Sequence, residues 1–329
     1  MFAPKFRKNA ISAFPGSSLF YRPRFPFLPL LCLLVLGVNA ASGAESKIKF
    51  TPDFPQPTIT EARLAESISV LDKMADKVIA ENSLPGVAIA IVHKDKVVFA
   101  KGYGVREMGK NEKIDADTVF QLASVSKPLA STVVAAVVGE GKVSWDSKIS
   151  DLDPDFAMFD VLASSQVTIR DFLAHRSGLP EHSGDIAEDL GFDRAEVLHR
   201  LRFQKPESSI RSKYAYTNFG FTEGALAAAK AVKMRWEDLA QDRLFKPLGM
   251  NSSSYKYADF VARANRAPGH VLVDGKWVTK YRRDPDAQAP AGGASSSVND
   301  MTRWMRMQIN DGKLDGKQIV AESAIKETH

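Results

Sequence analysis

Phe120-Gln-Leu-Ala-Ser124-Val-Ser-Lys127, running into the apolar stretch 128–138, is the segment on which the reading of this chain turns. Residues three apart on a helix share a face, with Cβ atoms about 5–6 Å apart, so Ser124 and Lys127 can meet. A hydroxyl beside an amine is a candidate nucleophile with a candidate base. Spacing alone does not select this pair, because Ser-x-x-Lys also occurs at Ser46/Lys49, Ser253/Lys256 and Ser323/Lys326. Context does: only Ser124 follows a predicted hairpin and heads a long apolar helix. That helix is expected to run to residue 138 and stop at Gly139-Glu-Gly141. It is apolar nearly all round, which predicts burial. Pro128 sits early, where a missing amide costs least, but proline disfavours helix in the residue before it, so the helix should begin at or near Ser124. Ser124 then lies at a helix N-terminus, where amides favour developing negative charge.

Upstream, Thr58 and Glu61 read as a capping box. Leu64, Ile68, Leu71, Ala75, Val78 and Ile79 recur at helical spacing as far as about Glu81. The β-branched run 86–92, the polar His93-Lys-Asp-Lys96 and the run 97–103 predict a hairpin with a buried first strand. A helix ahead of an antiparallel hairpin needs a partner face, so helix packed on sheet is expected. From 141 to about 289 the pattern is mainly helices and loops. A short helix at 168–175 stops at Ser177-Gly-Leu-Pro180, and helices follow at 219–232 and 236–245. Asp274-Gly275 centres a small hairpin over 271–278. Ala291-Gly-Gly-Ala-Ser-Ser-Ser297 reads as a small-residue turn before a helix over 298–309, and no repeat of 20 to 50 residues is present.

The 329 residues suffice for a large core. The net charge of +5 arises within residues 1–44, which hold Lys5, Arg7, Lys8, Arg22 and Arg24 and no acid, leaving 39 basic against 39 acidic residues beyond them. That balance leaves no electrostatic footprint for nucleic acid. The basic start, the twelve-residue apolar run 27–38 and the small residues Ser42-Gly-Ala44 have the layout of a secretory signal cleaved after Ala44 or Ala40. An uncleaved anchor and an organelle transit peptide are the alternatives, although the run is short for a membrane span. A signal peptide over 1–44, a proline-bearing linker over 45–60 and a folded domain over 61–329 are therefore expected, in a periplasmic or secreted protein without a stable membrane span. The single cysteine, Cys32, falls within the signal, so disulfides and thiolate chemistry drop out of the mature chain.

A serine nucleophile needs a base in reach and donors aimed at the oxyanion. Gly-x-Ser-x-Gly is absent, and the histidines at 93, 175, 182, 199, 270 and 329 show no metal-ligand spacing. Tyr216-Thr-Asn218 is the only Tyr-x-Asn in the chain and stands at a helix entry. Taken in order, Ser124-Val-Ser-Lys127, His175-Arg-Ser-Gly-Leu-Pro180, Tyr216-Thr-Asn218 and Ala291-Gly-Gly-Ala-Ser-Ser-Ser297 resemble the class C β-lactamase and penicillin-binding-protein-related serine hydrolases. The resemblance covers roughly residues 61–329. It implies an α+β fold of the serine β-lactamase type, an antiparallel sheet flanked by helices with a mainly helical subdomain over about 124–290, and no metal or cofactor. It also implies roles: Ser124 as the acylated nucleophile with its amide in the oxyanion hole, Lys127 as base, Tyr216 as second base and acid, and Asn218 as a ligand of Lys127 or the substrate amide. A phenol titrates near 10 in water, so the role of Tyr216 requires a nearby cation. Plainer readings stand beside these: Tyr216 as a core tyrosine, Asn218 as a helix N-cap, His175 as structural, Gly292 and Gly293 as turn geometry.

The family's third motif, Lys-Thr-Gly or His-x-Gly on a strand after the glycine pair, has no match after Tyr216, and His182-Ser-Gly184 precedes it in a loop. The expectation is a C-terminally incomplete, inactive chain, short of the strands that pair with the 86–103 hairpin, whose longer parent hydrolyses a β-lactam, a D-amino-acid peptide or an ester. One lost oxyanion donor typically costs about 10²–10³ in rate. The rival reading is a catalytically silent relative that binds peptidoglycan or a protein partner.

Overall fold

A computed structural model describes residues 59–81 and 83–329; the expected signal segment, most of the linker and Thr58 lie outside these. Helix α1 spans Glu61–Ala80, and its cap is Thr60, whose hydroxyl accepts from the Arg63 amide, two residues later than the sequence pattern suggested. Strands β1 (Gly86–His93) and β2 (Lys96–Gly104) pair antiparallel. Lys94 and Asp95 both have positive φ in the turn, the geometry that matches the twist of a two-residue hairpin. β1 is half-buried along its length rather than buried. The reason is its company: among the described residues β1 pairs only with β2, and helices supply the packing. On one side Asp72 of α1 accepts from Tyr103 Oη at 2.5 Å and Lys101 Nζ at 2.6 Å. On the other, Arg306 of the later helix Val298–Ile309 donates to Asp95 Oδ1 at 2.8 Å and to its carbonyl at 2.9 Å, which pins the hairpin turn.

The two-residue strand β3 (Phe120–Gln121) leads to a 3₁₀ turn at Ala123–Val125 and then to helix α2, Ser126–Gly139. Leu129, Val133, Val134, Ala135 and Val137 of α2 are fully buried, as the all-round apolar pattern predicts. Ala123 has φ +47°, a left-handed conformation in a residue with a Cβ, and such strain costs of order 1–3 kcal/mol that surrounding contacts must offset.

Helix α3, Ile169–Leu173, carries a full capping box in which the Thr168 hydroxyl accepts from the Asp171 amide and Asp171 accepts from the Thr168 amide. A cap of this kind is worth about 1 kcal/mol. α3 packs on helix α4, Asn218–Ala231, across a face made of glycines four residues apart. A Cβ on Gly224 would lie 2.9 Å from Phe172 Cβ, so this glycine lets the helices meet, whereas one on Gly220 would run into Thr217 Oγ1 of its own helix entry before it crowds Phe172 Cδ1 at 3.1 Å. The predicted helix over 236–245 is α-helical only to Ala240; a π turn, Gln241–Phe245, follows, and the run ends at Gly249 with φ +67°. Strands β4 (Val271–Val273) and β5 (Lys276–Val278) form the small hairpin with Asp274 and Gly275 both at positive φ.

The segment 291–297 is not a simple turn. Ala289–Gly292 is one helical turn wedged against α2 and α4, and strand β6, Ser295–Ser296, pairs antiparallel with β3. Gly293 has φ −95°, so its glycine requirement is steric: a Cβ there would lie 2.7 Å from Ala289 Cα. Helix α5, Val298–Ile309, starts from the Ser297 hydroxyl, which accepts from the Asp300 amide. Among the described residues no helix is long and apolar enough to cross a membrane.

Candidate active site

The 3₁₀ turn, the entry of α4 and the 289–293 wedge converge on one point, and the reason lies in the turn's own tethers. Leu122 N donates to Ala294 O at 2.8 Å, Ala294 N donates to Ser126 Oγ at 2.8 Å, and the buried Tyr255 Oη donates to Ser126 O at 2.7 Å. Held this way, Ser124 is exposed while Lys127, one turn on, is only 8% exposed. The Ser124 N–H has no acceptor among the described residues and is free to serve a ligand.

Lys127 Nζ reaches four acceptors: Tyr216 Oη at 2.5 Å, Asn218 Oδ1 at 2.8 Å, Ala291 O at 3.0 Å and Ser124 Oγ at 3.2 Å. Tyr216 Oη lies 2.7 Å from Ser124 Oγ. The four residues singled out in the sequence therefore meet, with the phenol standing between the serine and the amine. Burial lowers the Lys127 pKa from 10.5, while Tyr216 and the charge of Asp185 oppose that shift. An ammonium offers three N–H bonds and no lone pair, whereas the neutral amine that burial favours can accept a proton from serine or phenol. Asn218 is the first residue of α4 and does not cap it; its carbonyl goes to Lys127.

His175 follows α3 with φ +54° and is buried. Its Nδ1 accepts from Thr217 N at 3.2 Å, and its ring lies 4.6 Å from the Tyr216 ring at 37°. Burial first, and then the Lys127 charge, push the imidazole down to about 4, so it is neutral near pH 7. Its protonation accordingly favours the unfolded chain, and its share of stability is lost as pH falls from 6.5 toward 4. It is a wall that orients Tyr216.

Asp185 is the site residue that sequence reasoning missed. Both its oxygens accept from Asn218 Nδ2, at 3.1 and 3.3 Å, and Oδ2 also pairs with His182 Nδ1 at 2.9 Å. The one signal available was His182-Ser-Gly-Asp185, the stretch that resembles a displaced third motif; His182 at φ +58° and Gly184 at φ +96° turn the chain here, and His182 N donates to Tyr216 O at 2.8 Å. Asp185 fixes the Asn218 amide so that its oxygen faces Lys127, and its charge favours the ammonium form. Asp185→Asn is therefore expected to lower the Lys127 pKa further and move the pH dependence of Ser124 reactivity toward lower pH. A pH profile of Ser124 phosphonylation checks this; a shift toward higher pH contradicts it.

Ser46 and Lys49 lie outside the described residues, and the two other Ser-x-x-Lys pairs have partners elsewhere. Ser253 Oγ donates to Asp300, Lys256 pairs with Asp238, and Lys326 pairs with Glu322 and Asp311.

Comparison with known proteins places the chain as a whole. Among curated relatives, the unguisins hydrolase ungD' of Aspergillus campestris is 24% identical over 233 residues, covering 67% of this chain and 43% of that protein. Beta-lactamase-like protein 4 of Dictyostelium discoideum is 26% identical over 298 residues, covering 84% and 52%. Penicillin-binding protein 4 of Amycolatopsis lactamdurans is 26% identical over 256 residues, covering 76% and 66%. The chain spans about half the length of the first two of these relatives. The octameric penicillin-binding protein homologue of Pyrococcus abyssi shares the fold with a TM-score of 0.67 at 22% identity, over 79% of this chain and 59% of that one. The Beta-lactamase family model matches residues 71–328, and the chain belongs to that family, with its α+β fold.

Proposed function

We propose that this protein is an exported serine hydrolase that acts by acyl transfer on a β-lactam, a D-amino-acid peptide or an ester. Ser124 Oγ attacks the acyl carbonyl as its proton passes to Lys127, directly or through Tyr216. The Ser124 N–H receives the oxyanion, Asn218 holds Lys127 in place, and Tyr216 returns a proton to the leaving group. The observation that carries the reading is the position of Tyr216 Oη, 2.7 Å from Ser124 Oγ and 2.5 Å from Lys127 Nζ. Relatives named as a hydrolase and as a penicillin-binding protein support the acyl chemistry. The basic and apolar start of the sequence supports export.

The sequence pattern leads to the expectation of an inactive chain, but the meeting of Ser124, Lys127, Tyr216 and Asn218 supports acylation of Ser124 by these residues. The reading is therefore tested on acylation. With the chain in excess over nitrocefin, p-nitrophenyl acetate or a D-alanyl dipeptide, at least one is expected to release its leaving group in a single stoichiometric phase. A folded chain that none of them acylates would favour the silent, ligand-binding relative.

A further inference from the structure

A second concavity opens beside the strand that delivers Ser124. Gln121 forms part of its wall, and because consecutive Cα atoms are 3.8 Å apart, Gln121 and Ser124 lie at most about 11 Å from each other. The cavity holds about 490 Å³, the size of a small-molecule site. Its polar lining is dominated by cations: Arg106, Lys110, Arg266, Arg282 and Arg283. Two of these are neutralised, Lys110 by Glu107 at 2.8 Å and Arg283 by Glu188 at 2.7 Å and Asp189 at 3.4 Å.

The other three are not. Arg106 donates to Ala264 O at 2.6 Å and Asn265 Oδ1 at 3.4 Å, and Arg266 donates to Arg263 O at 2.6 Å, all of them uncharged oxygens. Arg282 is exposed and forms no ion pair among the described residues. Among the described residues Glu112 is the one lining carboxylate without a cation partner. Three guanidinium groups thus face a single acid. His270 adds no charge, since its Nε2 accepts from Met108 N at 3.1 Å. An adjoining recess of about 340 Å³ shares Arg106, Gln121 and His270 and is otherwise faced by apolar side chains, among them Leu84, Ile114, Phe120 and Trp277.

A planar guanidinium suits a carboxylate, and a cationic mouth beside an apolar recess suits a chain that is greasy along its length and charged at its end. Resting on the acyl-transfer reading above, we infer that this cavity receives an anionic arm of the substrate, with a carboxylate on Arg106, Arg266 and Arg282 and the apolar part of the same arm in the neighbouring recess. The substrate class is accordingly an acyl donor that bears a second, acidic group several carbons from the reacting carbonyl.

The test is a matched pair of esters: the p-nitrophenyl monoester of suberic acid, and the same compound with its free carboxylate methylated. With the chain in excess, p-nitrophenol release from the acid is expected to be about tenfold faster than from the methyl ester. That ratio is expected to shrink with added salt and to fall to about one in Arg282→Glu. A ratio near one that Arg282→Glu does not move overturns the inference. Should neither ester acylate Ser124, the hydrolase reading fails separately, and the cavity is then judged by calorimetry of suberate on the Ser124→Ala chain. Saturable binding lost in Arg282→Glu supports the site; no binding overturns it.

Discussion

Ser124→Ala is expected to reduce leaving-group release by about 10⁴-fold or more, the order seen when the nucleophile is removed from an assembled serine site. The argument is chemical before it is structural. An acyl-enzyme needs a covalent bond to an oxygen, and within the Lys127 network only Ser124 and Tyr216 carry a hydroxyl. A phenol at the position of Tyr216 is placed to carry a proton between Ser124 and Lys127, so deleting the serine leaves only water to attack. The substitution separates function from fold. Ser124 is exposed, and its hydroxyl bonds only Tyr216 and Lys127, while Lys127 keeps three other acceptors. Stability should change by less than about 0.5 kcal/mol, the usual range for surface sites. Release rate and thermal midpoint measured on one preparation check both parts. Unchanged release contradicts the assignment, and a large fall in midpoint would make Ser124 structural.

Lys127→Ala is expected to cost about 10²–10⁴ in the rate of Ser124 acylation, the contribution of a well-placed general base. The lysine must be neutral to take a proton, and burial favours that form, so its pKa is lowered from 10.5. The rate in the parent should therefore rise with pH along a limb that lies below the range of a free lysine. In Lys127→Ala that limb should vanish. A structural role alone would lower the rate at every pH without changing the profile. The profile therefore decides: a variant that is slower but keeps the same limb contradicts Lys127 as base.

Much of this was legible because it is encoded locally. Ser124 and Lys127 are three residues apart at a helix entry, a spacing that helical geometry itself brings together, and Tyr216 and Asn218 flank Thr217, the N-cap of another helix. The hairpin Gly86–Gly104 and the turn at Asp274-Gly275 were legible for the same reason. What escaped depends on contacts between distant segments. Asp185 joins the site through the amide of Asn218, 33 residues away in the chain, and the carbonyl of Ala291 carries no signature in its side chain. The His175 ring was read as structural, and it is, but its place against Tyr216 depends on Thr217 N meeting its Nδ1. The burial expected of β1 failed because alternation and β-branching report a strand's preference, not how many neighbours cover it. The turn at 291–297 hid a strand, since two serines pair with β3 through backbone alone.

The central claim is that Ser124 is the nucleophile and that Lys127 and Tyr216 activate it. A fluorophosphonate tests this most directly, because it reports the reactivity of one hydroxyl without needing turnover. Incubation of the 329-residue chain followed by peptide mapping is expected to find one phosphonyl adduct, on Ser124, absent in Ser124→Ala and formed at least about 10²-fold more slowly in Lys127→Ala. An adduct on Ser253 or Ser323 instead, or a folded chain that acquires none, would contradict the account.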